Sequence, residues 1–131
     1  MYECIYLVDD EELVNFMNAI KFRKLGLEDK VKTFTNPEEA LENLRHNKTQ
    51  NKLILLDINM PEMNGFEFLE FMTQEAFPSS NEVLIVTSSE TQEDKRKSQH
   101  YSAYVKDFIS KPLKLEALKA FLEKANQKIG I

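Results

Sequence analysis

The chain is poor in the residues that build several common kinds of functional site. It has 131 residues and one cysteine, Cys4, so neither an intramolecular disulfide nor a cysteine metal cluster can form. Its three glycines, Gly26, Gly65 and Gly130, lie too far apart for the glycine-rich loops that bind nucleotide phosphates or dinucleotides. If this protein binds a phosphate group, it must use a site other than a glycine-rich loop.

Long apolar runs and an excess of positive charge are also missing. No purely apolar run exceeds five residues, which is too short to cross a membrane. The N-terminus lacks the basic region and apolar stretch of a secretory leader, so we expect a cytoplasmic protein without membrane insertion. The 17 Lys and Arg against 22 Asp and Glu give a net charge of -5, which argues against a nucleic-acid partner.

What the sequence does contain is a regular alternation of short apolar runs and amphipathic stretches. The apolar runs predict strands at 5–8, 31–34, 53–56, 83–86 and 108–109. Between and after them, the patterns predict helices at 11–25, from Pro37, from Gly65, at 93–104 and at 114–128. Five strand-helix units in one chain predict a single domain, 1–131, with a doubly wound α/β fold around a parallel sheet. In the first helix, the apolar residues Leu13, Met17 and Ile20 have helical spacing.

Polar residues collect just after the predicted strands. Asp9 and Asp10 follow the first strand, Asp57 the third, Thr87 the fourth and Lys111 the fifth. Taken singly, an aspartate after a strand is more often a turn residue or a helix cap. Doubly wound folds, however, bind ligands at the carboxyl ends of their strands, and all of these groups fall at that edge.

The predicted cluster has a clear chemical requirement. Two carboxylates about 5 Å apart repel each other by roughly 3 kcal/mol at an effective dielectric constant near 20. Carboxylate oxygens suit Mg²⁺, and the charges of three aspartates, one Mg²⁺ and Lys111 sum to zero. A metal, an ammonium and a hydroxyl are the groups that phosphoryl transfer needs, and a carboxylate can itself form an aspartyl-phosphate.

With these residues in view, the whole chain resembles the receiver domain of two-component response regulators, in the stand-alone, CheY-like form. The segments that carry the resemblance are Leu7-Val8-Asp9-Asp10, Leu55-Leu56-Asp57-Ile58-Asn59-Met60-Pro61 with Met63-Asn64-Gly65, Val86-Thr87-Ser88, and Phe108-Ile109-Ser110-Lys111-Pro112-Leu113. The resemblance implies a flavodoxin-like sheet with strand order 2-1-3-4-5. The segment 101–107 departs from the family because it lacks the usual glycine-containing turn, which leaves the end of the fourth helix open.

The resemblance also implies a role for each site residue. Asp57 would be the phosphoacceptor, and Mg²⁺, with Mn²⁺ as a substitute, would be held by Asp9, Asp10, Asp57 and the backbone carbonyl of Asn59. Thr87 and Lys111 would bind the phosphoryl group, Thr87 and Phe108 would form the switch, and the bond before Pro112 would be cis.

The resemblance further implies that the chain is not an enzyme acting on a separate substrate. It would assist its own Mg²⁺-dependent phosphorylation and dephosphorylation, with a histidine kinase or histidine phosphotransfer protein as the donor. The sequence ends just after the last predicted helix, so the expected output is a contact with an unknown downstream protein. The surface formed by the fourth helix, fifth strand and fifth helix would make that contact.

Three other kinds of protein are alternatives to this interpretation. A phosphohydrolase of the haloacid-dehalogenase type needs a second aspartate as general acid, and Asn59 at that position cannot supply the proton. A nucleotide-binding module with 53–57 as a Walker B strand lacks its glycine-rich partner loop. A degenerate receiver that acts without phosphate stays open, although every acidic and polar site residue is present.

Overall fold

The computed structural model describes residues 2–88 and 91–128. Five parallel strands form one sheet in the order β2-β1-β3-β4-β5, where β1 is Cys4–Val8, β2 Val31–Phe34, β3 Lys52–Leu56, β4 Asn81–Thr87 and β5 Val105–Ser110. Five α-helices alternate with these strands: α1 is Glu12–Lys24, α2 Pro37–Arg45, α3 Gly65–Gln74, α4 Gln92–Gln99 and α5 Leu115–Lys128. The predicted doubly wound fold and strand order are therefore confirmed. None of the described helices combines the length and the apolar character needed to cross a bilayer.

The central strands β1, β3 and β4 each contain a continuous apolar run because both faces of the sheet are covered. One hydrophobic cluster lies on the side of α2 and α3 and includes Tyr6, Val8, Ile54, Leu56 and Phe68. A second lies on the side of α5 and includes Ile5, Leu7, Leu53, Leu55 and Leu118. Successive residues of β1 and β3 thus alternate between two cores, which is the reason for continuous apolar runs in a parallel sheet.

Two helices begin at strong asparagine caps. The Asn36 side chain accepts a hydrogen bond from the Glu38 N–H at 2.9 Å, one residue before Pro37 opens α2. Asn64 and Glu67 form a reciprocal capping box, at 2.9 Å and 3.1 Å, that starts α3. These caps fix where the chain turns back after β2 and after the loop that follows β3.

The apolar residues with helical spacing in α1 do not form its buried face. Leu13 is 67% exposed and Met17 49% exposed, and Ile20 is only half-buried. The side of α1 that meets the sheet instead carries Asn15, Asn18 and Phe22. The physical reason is that the Asn15 side chain binds backbone carbonyls at the strand ends, which turns a polar strip of the helix inward.

The fourth helix is shorter than predicted, and the fifth strand is longer. α4 ends at Gln99 instead of 104, because Tyr104 leaves the helix direction and enters the core. Its hydroxyl donates to the backbone oxygen of Phe77 at 2.7 Å and to that of Met72 at 3.2 Å. The Tyr101 carbonyl closes the turn by accepting from the N–H groups of Tyr104 and Val105, both at 2.8 Å.

An irregularity in β5 determines which side its aromatic residue faces. Val105 pairs with Val83, but Asp107 pairs with Leu84, so Lys106 is an extra residue in the strand. Because side chains alternate along a strand, this one-residue insertion changes the face of every later residue. Phe108 consequently lies opposite Ile85 and packs against the cluster on the α4 side of the sheet.

Candidate functional site

The fold brings the predicted acidic residues together at the carboxyl edge of the sheet. Asp9 and Asp10 follow β1, and Asp57 follows β3, its direct neighbour. Each of the three aspartates offers a carboxylate oxygen within 4.8 Å of the other two. Asp9 is 5% exposed and Asp57 only 4%, whereas Asp10 is half-buried. Negative charge is therefore concentrated where little water can screen it.

Lys111 lies inside this cluster. Its Nζ donates to Asp9 Oδ2 at 2.6 Å and lies 3.5 Å from Asp57 Oδ2. Burial by itself would lower the pKa of Lys111, but the hydrogen bond to Asp9 and the charges of Asp57 and Asp9 outweigh burial and raise it. The ammonium is thus firmly protonated and neutralises part of the acidic charge.

The environment of Asp57 disfavours its ionised form. Burial raises the pKa of this carboxyl above its usual range, and the neighbouring charge of Asp9 raises it further. Lys111 and the backbone N–H of Asn59, which donates to Asp57 Oδ1 at 3.3 Å, offset part of that effect. An additional cation next to Asp57 would therefore stabilise the carboxylate.

Two further neighbours complete the site around Asp57. The Asn59 side chain donates from Nδ2 to Thr87 Oγ1 at 3.3 Å, so the fully buried Thr87 hydroxyl is linked to the loop after β3. The backbone N–H of Lys111 donates to the Thr87 carbonyl at 2.8 Å, and the Lys111–Pro112 bond is cis. The sequence analysis gives Asn59 a role only through its carbonyl, as a metal ligand. No pattern in the sequence predicts the contact of its side chain with Thr87.

Gly65 lies directly against the backbone of Asp57 and Ile58. A β-carbon at this position would lie 2.8 Å from the Asp57 carbonyl oxygen and 2.9 Å from the Ile58 α-carbon. The Gly65 N–H donates to the Ile58 carbonyl at 2.9 Å, so the start of α3 lies directly against the chain that carries Asp57. The sequence showed Gly65 as part of a motif, and only the fold shows what it contacts.

The oxygen donors present fit a hard divalent cation. Mg²⁺ binds through one or two carboxylates and keeps several waters, and the partly exposed Asp10 leaves one side of the cluster open. The buried Asp9 and Asp57 require nearby positive charge, of which Lys111 supplies a single unit. The residues therefore match the magnesium site that the sequence predicts.

Comparison with known proteins agrees with this geometry. The family model of the response regulator receiver domain matches residues 5–123. The chain is 26% identical over 127 residues to the probable methanogenesis regulatory protein FilR2 of Methanothrix harundinacea, across 94% of this chain and 81% of that protein. Other curated relatives are longer, and the chain spans between 12% and 49% of their length.

Solved structures show the same similarity. A two-component response regulator from Cytophaga hutchinsonii superposes with a TM-score of 0.79 at 28% identity, over 96% of this chain and 98% of that one. The chemotaxis protein CheY4 of Vibrio cholerae superposes with a TM-score of 0.78 at 25% identity, over 95% and 98% of the two chains.

Proposed function

Because the chain belongs to the response regulator receiver domain family, as its motifs predicted, we propose that it is a signalling switch phosphorylated on Asp57. The observation that carries this proposal is the group of three carboxylates, two of them buried, with Lys111 among them. Such a group is costly in a folded protein unless it serves a cation and a ligand. The family is one of phosphorylation-based signalling, and we assign the acceptor role to Asp57 because it contacts both Lys111 and the backbone N–H of Asn59, whose side chain contacts Thr87.

In the proposed reaction, an Asp57 carboxylate oxygen attacks the phosphorus atom of the donor. A P–O bond to Asp57 forms while the bond from phosphorus to the donor breaks, and the donor leaves with the bonding electron pair. Asp9, Asp10, Asp57 and the carbonyl of Asn59 would hold Mg²⁺, which supplies neutralising charge. Lys111 and the Thr87 hydroxyl would bind phosphoryl oxygens, and the position of Lys111 Nζ between Asp9 and Asp57 supports this role.

A histidine kinase or histidine phosphotransfer protein is the proposed donor, and the exposed side of α1 offers it a surface. We call the exposed Leu13, Phe16 and Met17 the apolar face of α1; Phe16 is 61% exposed. This face begins at Leu13, directly after the run of acidic residues 9–12. A cavity of about 310 Å³ is lined by Met17, Lys111 and Pro112. A protein seated there would cover the mouth of the site, and exposed apolar side chains of this kind mark contact surfaces.

The function is tested by incubation with acetyl phosphate followed by intact-mass measurement. We expect the mass of exactly one phosphoryl group per chain, and we expect it only when Mg²⁺ or Mn²⁺ is present. The reason is that the donor is an anion and must approach two buried carboxylates. Labelling that persists in excess EDTA, or the absence of labelling under all conditions, contradicts the proposal; the second result is what a degenerate receiver would give.

The same assay separates the donor surface from the chemistry. Phe16→Asp is expected to slow transfer from a protein donor but to leave labelling by acetyl phosphate unchanged, because Phe16 lies outside the acidic cluster. Phe71→Asp is the matched control, since Phe71 is 39% exposed on α3. Equal slowing by both substitutions would rule out the apolar face of α1 as the donor surface.

We further propose that phosphorylation is transmitted through Thr87 and Phe108 to the surface of α4, β5 and α5, where a downstream protein binds. An anionic phosphoryl oxygen is a strong acceptor, so it would draw the Thr87 hydroxyl, which accepts from Asn59 Nδ2 in this structure, toward Asp57. Because of the extra residue in β5, Phe108 lies on the α4 side of the sheet, where it is partly buried. A phenylalanine has no hydroxyl group, so no side-chain hydrogen bond holds it in this orientation. Phe108 could then turn into the space behind Thr87.

This route predicts the behaviour of two variants. Thr87→Ala and Phe108→Ala are each expected to accept phosphate on Asp57 and to lose most of the gain in affinity for the downstream protein. A two-state equilibrium of this kind shifts with a few kcal/mol of bias, which either substitution would remove. The measurement is partner binding with and without beryllofluoride, a mimic of the aspartyl-phosphate. A wild-type increase in both variants would show that the coupling runs elsewhere.

A further inference from the structure

The buried side of α1 carries an asparagine that the proposed phosphoryl chemistry does not use. Asn15 is 3% exposed, and its Nδ2 donates to the backbone oxygens of Asp9 and Phe34, both at 3.0 Å. Because both partners are carbonyl oxygens, which only accept, the amide nitrogen must be the atom that faces them. Asn15 therefore joins the end of β1 to the end of β2 at the border of the acidic site.

The bonds from Asn15 act on the peptide group that carries both metal-binding aspartates. The Asp9 carbonyl belongs to the planar peptide between Asp9 and Asp10, so holding its oxygen restricts the backbone torsions on both sides. The Phe34 carbonyl also accepts from the Asp9 N–H at 3.1 Å, and Asp9 Oδ1 accepts from the Glu11 N–H at 2.9 Å. Asn15 thus fixes the part of this loop from which the Asp9 and Asp10 side chains leave the backbone.

An asparagine at this position carries a cost in stability. Its Oδ1 is buried and has no hydrogen-bond partner among the described residues, which costs free energy. A leucine of nearly the same shape would avoid that cost while filling the same space. What a leucine cannot supply is the pair of hydrogen bonds to Asp9 and Phe34.

From these contacts we infer that Asn15 is a positioning residue for the metal site, holding Asp9 and Asp10 at the spacing that a divalent cation requires. The inference rests on the proposed function, in which these carboxylates hold Mg²⁺. Asn15 acts through the backbone and is not itself a ligand. Groups that orient metal ligands in this way alter metal affinity by about 10- to 100-fold when they are removed.

The test compares Asn15→Leu with Asn18→Leu. Asn18 lies one turn further along the same side of α1 and is 8% exposed, but no hydrogen bond seen among the described residues joins its side chain to a strand-end carbonyl. Binding of Mn²⁺ is followed by the electron paramagnetic resonance of the free ion, without any phosphodonor. We expect Asn15→Leu to weaken Mn²⁺ binding about tenfold and Asn18→Leu to leave it within about twofold.

Two more measurements make the result decisive. In metal-free protein, amide hydrogen exchange at Asp9 should accelerate in Asn15→Leu, and the urea midpoints of the two leucine variants show how much overall stability each has lost. Unchanged Mn²⁺ affinity in Asn15→Leu overturns the inference, and so does equal weakening in both variants, which would indicate a general packing effect. A wild type that does not bind Mn²⁺, or an Asp10→Asn variant that binds it equally well, instead refutes the metal site of the proposed function.

Discussion

Asp57→Asn is expected to abolish phosphorylation while preserving the fold. Asparagine has nearly the same shape as aspartate, and its Oδ1 can still accept from the backbone N–H of Asn59, although the contact of Oδ2 with Lys111 is lost. Its neutral amide, however, is not a nucleophile for phosphorus, and the site then contains only two carboxylates. Intact-mass measurement after incubation with acetyl phosphate and Mg²⁺ should show full labelling of the wild type and none of the variant.

The control for this prediction is Asp29→Asn, which removes one carboxylate from an exposed position outside the site. It should be labelled as rapidly as the wild type. Full labelling of Asp57→Asn would mean that another residue is the acceptor, and peptide mapping would then identify it.

The same substitution should change the pH dependence of stability. Burial and the charge of Asp9 raise the pKa of Asp57, so the folded protein holds this proton more tightly than the unfolded chain, whose aspartates titrate near 3.9. Stability contributed by the protonated form is therefore lost as pH rises through the folded pKa, and at neutral pH the ionised Asp57 is destabilising. In EDTA, Asp57→Asn should be more stable than the wild type at pH 7, by about 1 kcal/mol or more.

Urea unfolding at two pH values measures this effect. The difference in the free energy of unfolding between variant and wild type should shrink as the pH is lowered through the raised pKa of Asp57, because the folded wild type then takes up the proton and loses the buried charge. Excess Mg²⁺ at pH 7 should also reduce the difference, since bound cations stabilise the wild-type carboxylate. A wild type more stable than Asp57→Asn in EDTA at pH 7 would contradict this account of the site.

The sequence was sufficient for the sheet and for the residues at its carboxyl edge, because both depend on local patterns. Continuous apolar runs such as 53–56 mark strands buried on both faces, and the parallel arrangement then places Asp9, Asp57 and Lys111 at one edge. The order of the elements along the chain therefore determined the site almost by itself.

The sequence was not sufficient where long-range contacts override a local pattern. The spacing of Leu13, Met17 and Ile20 predicts the helix but not its buried face, which carries Asn15 with its two hydrogen bonds to strand ends. The extra residue in β5 has the same character, because only the pairing of Val83 and Leu84 with Val105 and Asp107 reveals it. Contacts between distant segments, which have no counterpart in local periodicity, account for both differences.

Gly65→Ala is expected to damage the site even though alanine is the better helix former. Alanine at the first position of α3 would gain about 1 kcal/mol in helix propensity. Its β-carbon, however, would lie 2.8 Å from the Asp57 carbonyl oxygen and 2.9 Å from the Ile58 α-carbon, and both are backbone atoms that cannot rotate away. Overpacking of this kind costs about 1–3 kcal/mol, so we expect a net loss of stability.

The larger effect of Gly65→Ala should be on phosphorylation. Relief of the overlap requires the backbone at Asp57 to move relative to Lys111 and the other aspartates, and a displacement near 1 Å can slow a reaction by about 100-fold. We therefore expect a 10- to 100-fold slower rate of labelling by acetyl phosphate, measured at a temperature where circular dichroism shows both proteins folded.

Gly26→Ala is the matched control, because it makes the same substitution where only backbone conformation is at stake. Gly26 has a φ of +75°, and a β-carbon there would meet no atom within 4 Å. Alanine in this conformation costs about 1 kcal/mol, which is comparable to the loss expected at Gly65. Gly26→Ala should thus lose stability and keep the wild-type labelling rate. Similar labelling rates in the two variants would show that the close approach of Gly65 to Asp57 does not position the phosphoacceptor.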